Sequence, residues 1–318
     1  MDILLLLVGL GLILGGANFL TDGSAAVAQR FRVPEFIIGL TIVAVGTSMP
    51  ELVVSVLSAA AGNSDVAIGN VVGSNIFNVF VILGICALIR PLVLTKENIR
   101  RDIPFGMAAS LVLLAVTSDR LVCAGATDRI GRPDGIVMLA LYIGLMWYMI
   151  RTTKRQRSIP GATTGMNVPV SGAALKNGAQ HAEGTKKPIA LWLAGGMIAG
   201  GLAGLVFGGE MFLKSATAIA RTLGISESVI AITLVAGGTS LPELASSLVS
   251  LFKGKADMAL GNVIGSNIAN ILLILGLSAT IHPLSMGGIT VWDLLMVVLS
   301  SVLLFLAAFT FKRRAIDR

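Results

Sequence analysis

Two cysteines, Cys86 and Cys123, and two histidines, His181 and His282, are all that the 318-residue chain holds of the side chains that build soft-metal and redox sites. The cysteines fit no metal or redox spacing and read as small apolar packing residues. His181 falls in a loop and His282 at a helix end, neither with a partner pattern. No nucleophile–base pair, phosphate-binding loop or His/Cys metal site is visible, so the chain is expected to be neither an enzyme nor the carrier of a cofactor. Charge is scarce as well. Charged residues make up 13% of the chain, against about 25% in a soluble domain. A basic leader is missing: Met1-Asp2 lacks positive charge, and the first apolar stretch runs on into a polar, glycine-containing segment at 15–30. It reads as a first membrane helix rather than a cleaved signal peptide.

What is present is apolar length. Hydrophobic residues are 55% of the chain and the mean hydropathy is +0.87. A helical span takes roughly 20 apolar residues. Nine stretches qualify: about 3–29, 34–61, 65–89, 103–118, 134–151, 189–222, 227–252, 257–281 and 290–311, with 103–118 the shortest. The expected fold class is therefore an all-α polytopic membrane protein. The net charge of +7 does not point to nucleic acid, because of where the charges fall. Threading the spans puts 19 of the 24 basic residues on one side, among them Arg30, Arg32, Arg90, Lys96, Arg100, Arg101, Lys253, Lys255 and the 312–318 tail. Positive residues mark the cytoplasmic side, which places the N-terminus outside and leaves the excess charge facing anionic headgroups. The stretch 152–188, rich in Gly, Pro, Ser and Thr, reads as a flexible cytoplasmic linker between a first half at 1–151 and a second at 189–318. It has too few large apolar side chains to bury a regulatory core of its own.

The halves are related. Residues 41–59, TIVAVGTSMPELVVSVLSA, and 68–84, IGNVVGSNIFNVFVILG, recur at an offset of 192 as TLVAGGTSLPELASSLVSL (233–251) and LGNVIGSNIANILLILG (260–276). Without a gap, 37–92 and 229–284 share about 30 identities in 56 positions, a repeat by descent. Five spans separate equivalent points. An odd number sends the second copy into the membrane from the opposite side, giving inverted repeats about an axis in the membrane plane, an arrangement of secondary transporters with the site at the repeat interface.

Each copy plants a glutamate, Glu51 or Glu243, inside an apolar run, and a carboxylate at membrane depth is expensive. A Pro-kinked helix carrying one glutamate has a purely structural reading; two copies at matched spacing favour function. Gly46 with Pro50, and Gly238 with Pro242, break the helix and are expected to free carbonyls around Ala44, Val45 and Ala236. Such carbonyls persist in a membrane only where they are buried in protein or line a polar cavity. Thr47 and Glu51 are four apart and are expected in line on one helix face, as are Thr239 and Glu243. Ser48 and Ser240 lie at the breaks. The next helix adds Ser74 and Asn78, repeated as Ser266 and Asn270. Gly69, Gly73, Gly261 and Gly265 read as close helix packing rather than ion contacts. The inventory is all hard oxygen, which suits Ca²⁺ and also Na⁺. Two glutamates neutralise one Ca²⁺, and the same pair serves two or more Na⁺, so the two ions would compete. Asp65 and Asp257 match across the copies just before a helix and read as N-cap or first-turn residues, with a vestibule role as the alternative. Asp22, Lys214, Glu210 and Asn18 are left without a role.

At GTSMPE…GNVVGSNIFN and GTSLPE…GNVIGSNIAN the chain resembles the sodium/calcium exchanger family, within the cation/calcium antiporter superfamily, and most of all its prokaryotic members. The resemblance implies electrogenic exchange of Na⁺ for Ca²⁺ by alternating access, with the first and sixth helices sliding past a fixed core. It implies ion ligation by Ala44, Thr47, Ser48, Glu51, Ser74 and Asn78, and by Ala236, Thr239, Ser240, Glu243, Ser266 and Asn270. Several relatives carry an aspartate where this chain has Asn270, which weakens K⁺-dependent or proton-coupled readings. Family members usually have ten helices, and the tenth is missing by this count, so the second half reads as truncated. The expected protein is an antiporter of a bacterial inner membrane, functional as a monomer in the lipid bilayer, with Ca²⁺ and Na⁺ as substrates and no nucleic acid partner. A Ca²⁺/H⁺ antiporter, a passive cation channel and an inactive truncated exchanger are the alternatives.

Overall fold

Thirty residues in one helix, α1 (Asp2–Phe31), open the chain. At 1.5 Å per residue α1 is about 45 Å long, longer than the roughly 30 Å of an apolar bilayer core. It ends at Arg32, whose left-handed backbone (φ 52°) returns two amides to the last turn. The computed structural model describes residues 1–117, 129–157, 189–226, 236–309 and 315–316. Within these, α2 (Glu35–Thr47) and α3 (Met49–Ala60) meet at a 48° bend. They are followed by α4 (Ser64–Ile89) and α5 (Ile103–Val116), the latter entered through a π turn at Asn98–Asp102. Then come α6 (Arg132–Arg157), α7 (Leu191–Thr222), α8 (Ala236–Gly238), α9 (Leu241–Phe252), α10 (Ala256–Ile281) and α11 (Val291–Ala307).

Five of these helices are long and apolar enough to cross a membrane, and the bent α2–α3 pair makes a sixth. The span at 34–61 is broken between Thr47 and Met49, as Gly46 and Pro50 lead one to expect, because Pro50 stands in the first turn of α3 and cannot donate to the preceding turn. The spans expected at 103–118 and 290–311 appear as the shorter α5 and α11. That expected at 227–252 is described only from Ala236 onward, as α8 and α9. The linker lies outside the described residues from 158 to 188. Cys86 is buried and free, in keeping with a packing role, while Cys123 and His181 lie outside the described residues.

Two packing units frame the site. In the first, α1 and α7 lie against each other along most of their length, backbone to backbone. Gly9, Gly16 and Gly23 recur every seven residues on α1 and face Gly208, Gly201 and Ala194 of α7. A Cβ on Gly16 would sit 2.7 Å from the Gly201 carbonyl oxygen, so glycine is what permits the approach. In the second, α4 and α10 carry the largest buried cluster, with Ile68, Val71 and Ile82 from one half packed among Val263, Ile268 and Leu275 from the other. Gly261 and Gly265 of α10 let α2 pass at the backbones of Phe36 and Leu40.

Two short antiparallel pairs stitch the halves together. β1 (Leu92–Val93) pairs with β4 (Ala315–Ile316), and β2 (Arg129–Ile130) pairs with β3 (Leu284–Ser285). Each pair takes one strand from each half, and Leu92 and Leu284 are repeat equivalents. Asp65, in the first turn of α4, accepts from Gly288 N at 3.0 Å, and the left-handed Gly287 (φ 46°) turns that amide toward it. The N-cap itself is Asn63, which accepts from Val66 N. Asp22 and Lys214 turn out to serve different pairs: Asp22 meets Lys253 at 2.8 Å, and Lys214 meets Glu210 one turn away on α7 at 2.6 Å.

Candidate ion site at the interface of the halves

Both glutamates stand in the first turn of the helix that follows a break, Glu51 on α3 and Glu243 on α9, with a proline at the helix start. A helix N-terminus presents unpaired amides and a positive dipole end, so it favours an anion there. Both side chains are wholly buried. Each is then held by the other half. Ser48 Oγ donates to Glu243 Oε1 at 2.8 Å, and Ser240 Oγ donates to Glu51 Oε1 at 3.1 Å. Ser48 and Ser240 are repeat equivalents, as are the glutamates, so one interaction is made twice with the halves exchanged. Ser74 Oγ reaches Glu51 Oε1 at 3.5 Å.

The second carboxylate oxygen of each glutamate, Oε2, is buried and has no hydrogen-bond partner among the described residues. The same is true of Asn78 Oδ1, of both amide atoms of Asn270 and of both amide atoms of Asn75. Buried acceptors are ordinarily satisfied, and a buried carboxylate oxygen without a donor costs several kcal/mol. A cation coordinated by these oxygens removes that cost. All the donors are oxygen or amide, and the two carboxylates carry a formal charge that one divalent or two monovalent cations balance.

The remaining expected residues fall around this centre. Thr47 closes α2 and donates toward Asn262 Oδ1 at 3.2 Å and Ala44 O at 3.3 Å. Thr239 donates toward Asn70 Oδ1 at 3.5 Å. Ser266 Oγ reaches Ala44 O at 3.5 Å, and Asn78 Nδ2 donates to Asn267 Oδ1 at 3.0 Å. Ala236 opens the short α8. Two expectations need correction. Thr47 and Glu51 do not share one helix face, nor do Thr239 and Glu243, because a break falls between the members of each pair; it is the intervening Ser48 or Ser240 that crosses to the opposite carboxylate. The Ala44 carbonyl is not freed by the break either: it keeps its helical bond from Ser48 N at 3.0 Å and also takes hydroxyls from Thr47 and Ser266.

Residue chemistry alone does not single out Asn70, Asn75, Asn262 or Asn267, yet all four take part in or border this network. The signal was there: each asparagine is identical in the two repeat copies. Backbone irregularity marks the same level. Asn78 begins a π-helical segment, Asn78–Leu83, and Asn270 lies in another, Ala269–Leu275. Such segments are frequent at functional sites because they re-aim side chains.

Comparison with known proteins converges on one group. The family model described as sodium/calcium exchanger protein matches residues 1–151 and 193–318. The inner membrane protein YrbG of Escherichia coli (strain K12) is 34% identical over 280 residues, covering 88% of this chain and 79% of that protein. The sodium/calcium exchanger MaX1 of Methanosarcina acetivorans is 30% identical over 322 residues, covering 95% and 90%. Among solved structures, the sodium-calcium exchanger NCX_Mj superposes with a TM-score of 0.78 at 30% identity, covering 100% of this chain and 92% of that one.

Proposed function

Since this chain belongs to the sodium/calcium exchanger family, we propose that it exchanges Na⁺ for Ca²⁺ across a membrane by alternating access, with the ions held between Glu51 and Glu243. The observation that carries this reading is the reciprocal pair of serine–glutamate bonds, each leaving one buried carboxylate oxygen without a donor. The ligands are Glu51, Glu243, Ser48, Ser240, Thr47, Thr239, Ser74, Ser266, Asn78 and Asn270, with the backbone carbonyls of Ala44 and Ala236. The two halves, 1–151 and 189–318, act as inverted repeats around that centre, and α1 with α7 form the moving pair. Both carboxylates come from one chain, which supports a monomer as the working unit. The basic bias supports an N-terminus outside and a cytoplasmic 152–188 linker, and YrbG's description as an inner membrane protein supports a bacterial inner membrane.

The chemistry explains why exchange is coupled. Two unneutralised carboxylates closed off from water cost at least about 5 kcal/mol. A barrier that high makes reorientation of the ion-free site roughly 10⁴-fold slower than that of the loaded site. Only a Ca²⁺-loaded or Na⁺-loaded protein then crosses at a useful rate, and the two ions move in opposite directions through the same oxygens.

Proteoliposomes holding the purified chain test this. Loaded with Na⁺ and diluted into Na⁺-free medium, they are expected to accumulate radiolabelled Ca²⁺ and to stop when an ionophore collapses the Na⁺ gradient. Uptake driven by a pH gradient without Na⁺ would assign proton coupling instead. Ca²⁺ flux that ignores every counter-ion gradient would assign a channel, and no flux under any gradient would contradict an exchanger.

A further inference from the structure

The proposed ligands Thr47 and Thr239 each touch an asparagine of the opposite half, and the geometry around Asn262 fixes which end of its amide faces the threonine. Asn262 is buried. Its Nδ2 faces three acceptors: Ser246 Oγ at 2.8 Å, Ser247 Oγ at 2.9 Å and the Glu243 backbone carbonyl at 3.4 Å. With the amine end consumed, only Oδ1 is left for Thr47 Oγ1, 3.2 Å away. The mirror site repeats the pattern. Asn70 Nδ2 donates to Ser55 Oγ at 3.0 Å and to the Glu51 carbonyl at 3.2 Å, and its Oδ1 faces Thr239 Oγ1 at 3.5 Å.

We infer that Asn262 and Asn70 are positioning residues for ion binding: each draws the single hydroxyl proton of the opposite half's threonine toward its amide oxygen, a proton that Thr47 shares with the Ala44 carbonyl, so that the threonine oxygen offers lone pairs to a cation. A threonine hydroxyl has one proton and two lone pairs. Thr47 and Thr239 each immediately precede the serine, Ser48 or Ser240, whose hydroxyl donates to the opposite half's carboxylate, so each threonine stands next to that anion's partner. With the asparagine removed, the carboxylate competes for the proton with fewer neutral acceptors, for Thr47 with the Ala44 carbonyl at 3.3 Å alone, and the hydroxyl turns more toward the anion. It then presents the positive end of its dipole where a cation is to bind, and it neutralises part of the charge the cation needs. An amide oxygen at the threonine's back reverses the dipole. By clamping the carbonyl of the glutamate as well, the same asparagine sets the spacing between hydroxyl and carboxylate. Partners of this kind, which orient a ligand without touching the metal, typically change affinity by 10- to 100-fold.

This inference rests on Thr47 and Thr239 being ligands, and a double-mutant cycle separates the two claims. Thr47→Val, Asn262→Ala and the double variant are reconstituted, and the half-saturating Ca²⁺ and Na⁺ concentrations are measured along with the maximal rate. Each single change is expected to raise half-saturating Ca²⁺ about 10-fold. The double is expected to be no worse than the more severe single, because the asparagine acts through the hydroxyl that is already gone. Asn262→Ala combined with Thr239→Val is expected to multiply instead. A merely structural asparagine would lower the maximal rate and multiply with both threonines alike, which would overturn the inference. If Thr47→Val leaves both half-saturation values unchanged, the ligand assignment itself fails. The mirror cycle with Asn70→Ala and Thr239→Val supplies an independent set, so a misfolded Asn262→Ala still leaves a decisive outcome.

Discussion

Glu51→Gln and Glu243→Gln are each expected to reduce Na⁺-driven Ca²⁺ uptake at least about 100-fold while the protein still inserts and elutes as a single species. Glutamine keeps the shape and an oxygen for the cross-half serine, Ser240 or Ser48. It removes one of the two charges that offset the dehydration of a divalent ion. An uncompensated buried charge costs roughly 3–5 kcal/mol, and 3 kcal/mol is already more than 100-fold in binding. Insertion is not harmed, because neutralising a carboxylate at membrane depth makes insertion easier. Uptake per milligram of reconstituted protein, read beside the elution profile, checks both halves of the expectation. A variant that transports at the unsubstituted rate would remove its glutamate from the site.

A large effect of a different kind is expected from Gly261→Val. Gly261 sits where α10 meets the Phe36 carbonyl and the Leu40 amide of α2, and any side chain there collides with main-chain atoms that no rotamer change can move. Overpacking a tight contact usually costs about 1–3 kcal/mol and more where backbone must shift. Here α2 carries Ala44 and Thr47, so the shift propagates into the site. The expected result is loss of a monodisperse folded fraction, or, in whatever folds, loss of transport. Gly11→Ala is the control: Gly11 is exposed on α1 with no atom near its position, and alanine there is expected to be neutral or mildly stabilising. Thermal melts followed by size-exclusion chromatography distinguish the two.

The grouping of several polar residues around the two glutamates was legible in the sequence, because duplication wrote it twice. Glu51 with Glu243, Ser48 with Ser240, and Ser74 with Ser266 stand at one offset, and a carboxylate repeated in an apolar run asks for a partner of opposite charge. Spacing alone was silent on direction. An i, i+4 pair such as Thr47 and Glu51 lies in line only if the helix runs through, and Pro50 together with Gly46 ends it at Ser48. Which hydroxyl meets which carboxylate is a tertiary fact: Ser48 belongs to Glu243, 195 positions away. Asn70 and Asn262 escaped for a related reason. An asparagine beside a glycine in a G-x-x-x-G frame looks like helix packing until its amide is seen bridging a serine, a carbonyl and a threonine of the other half. The ion pair between Asp22 and Lys253 was equally invisible, since it joins α1 to the end of α9 and no repeat equivalent exists for it: the position matching Asp22 is Lys214.

The claim on which everything else depends is that one carboxylate pair, contributed by both halves, serves both ions. Equilibrium Ca²⁺ binding to the purified chain, titrated with Na⁺ at constant ionic strength, tests it most directly. A shared pair predicts one saturable Ca²⁺ per chain, displaced completely by Na⁺ and absent in both Glu51→Gln and Glu243→Gln. Ca²⁺ binding that persists at saturating Na⁺, or that survives the loss of either glutamate, would contradict it.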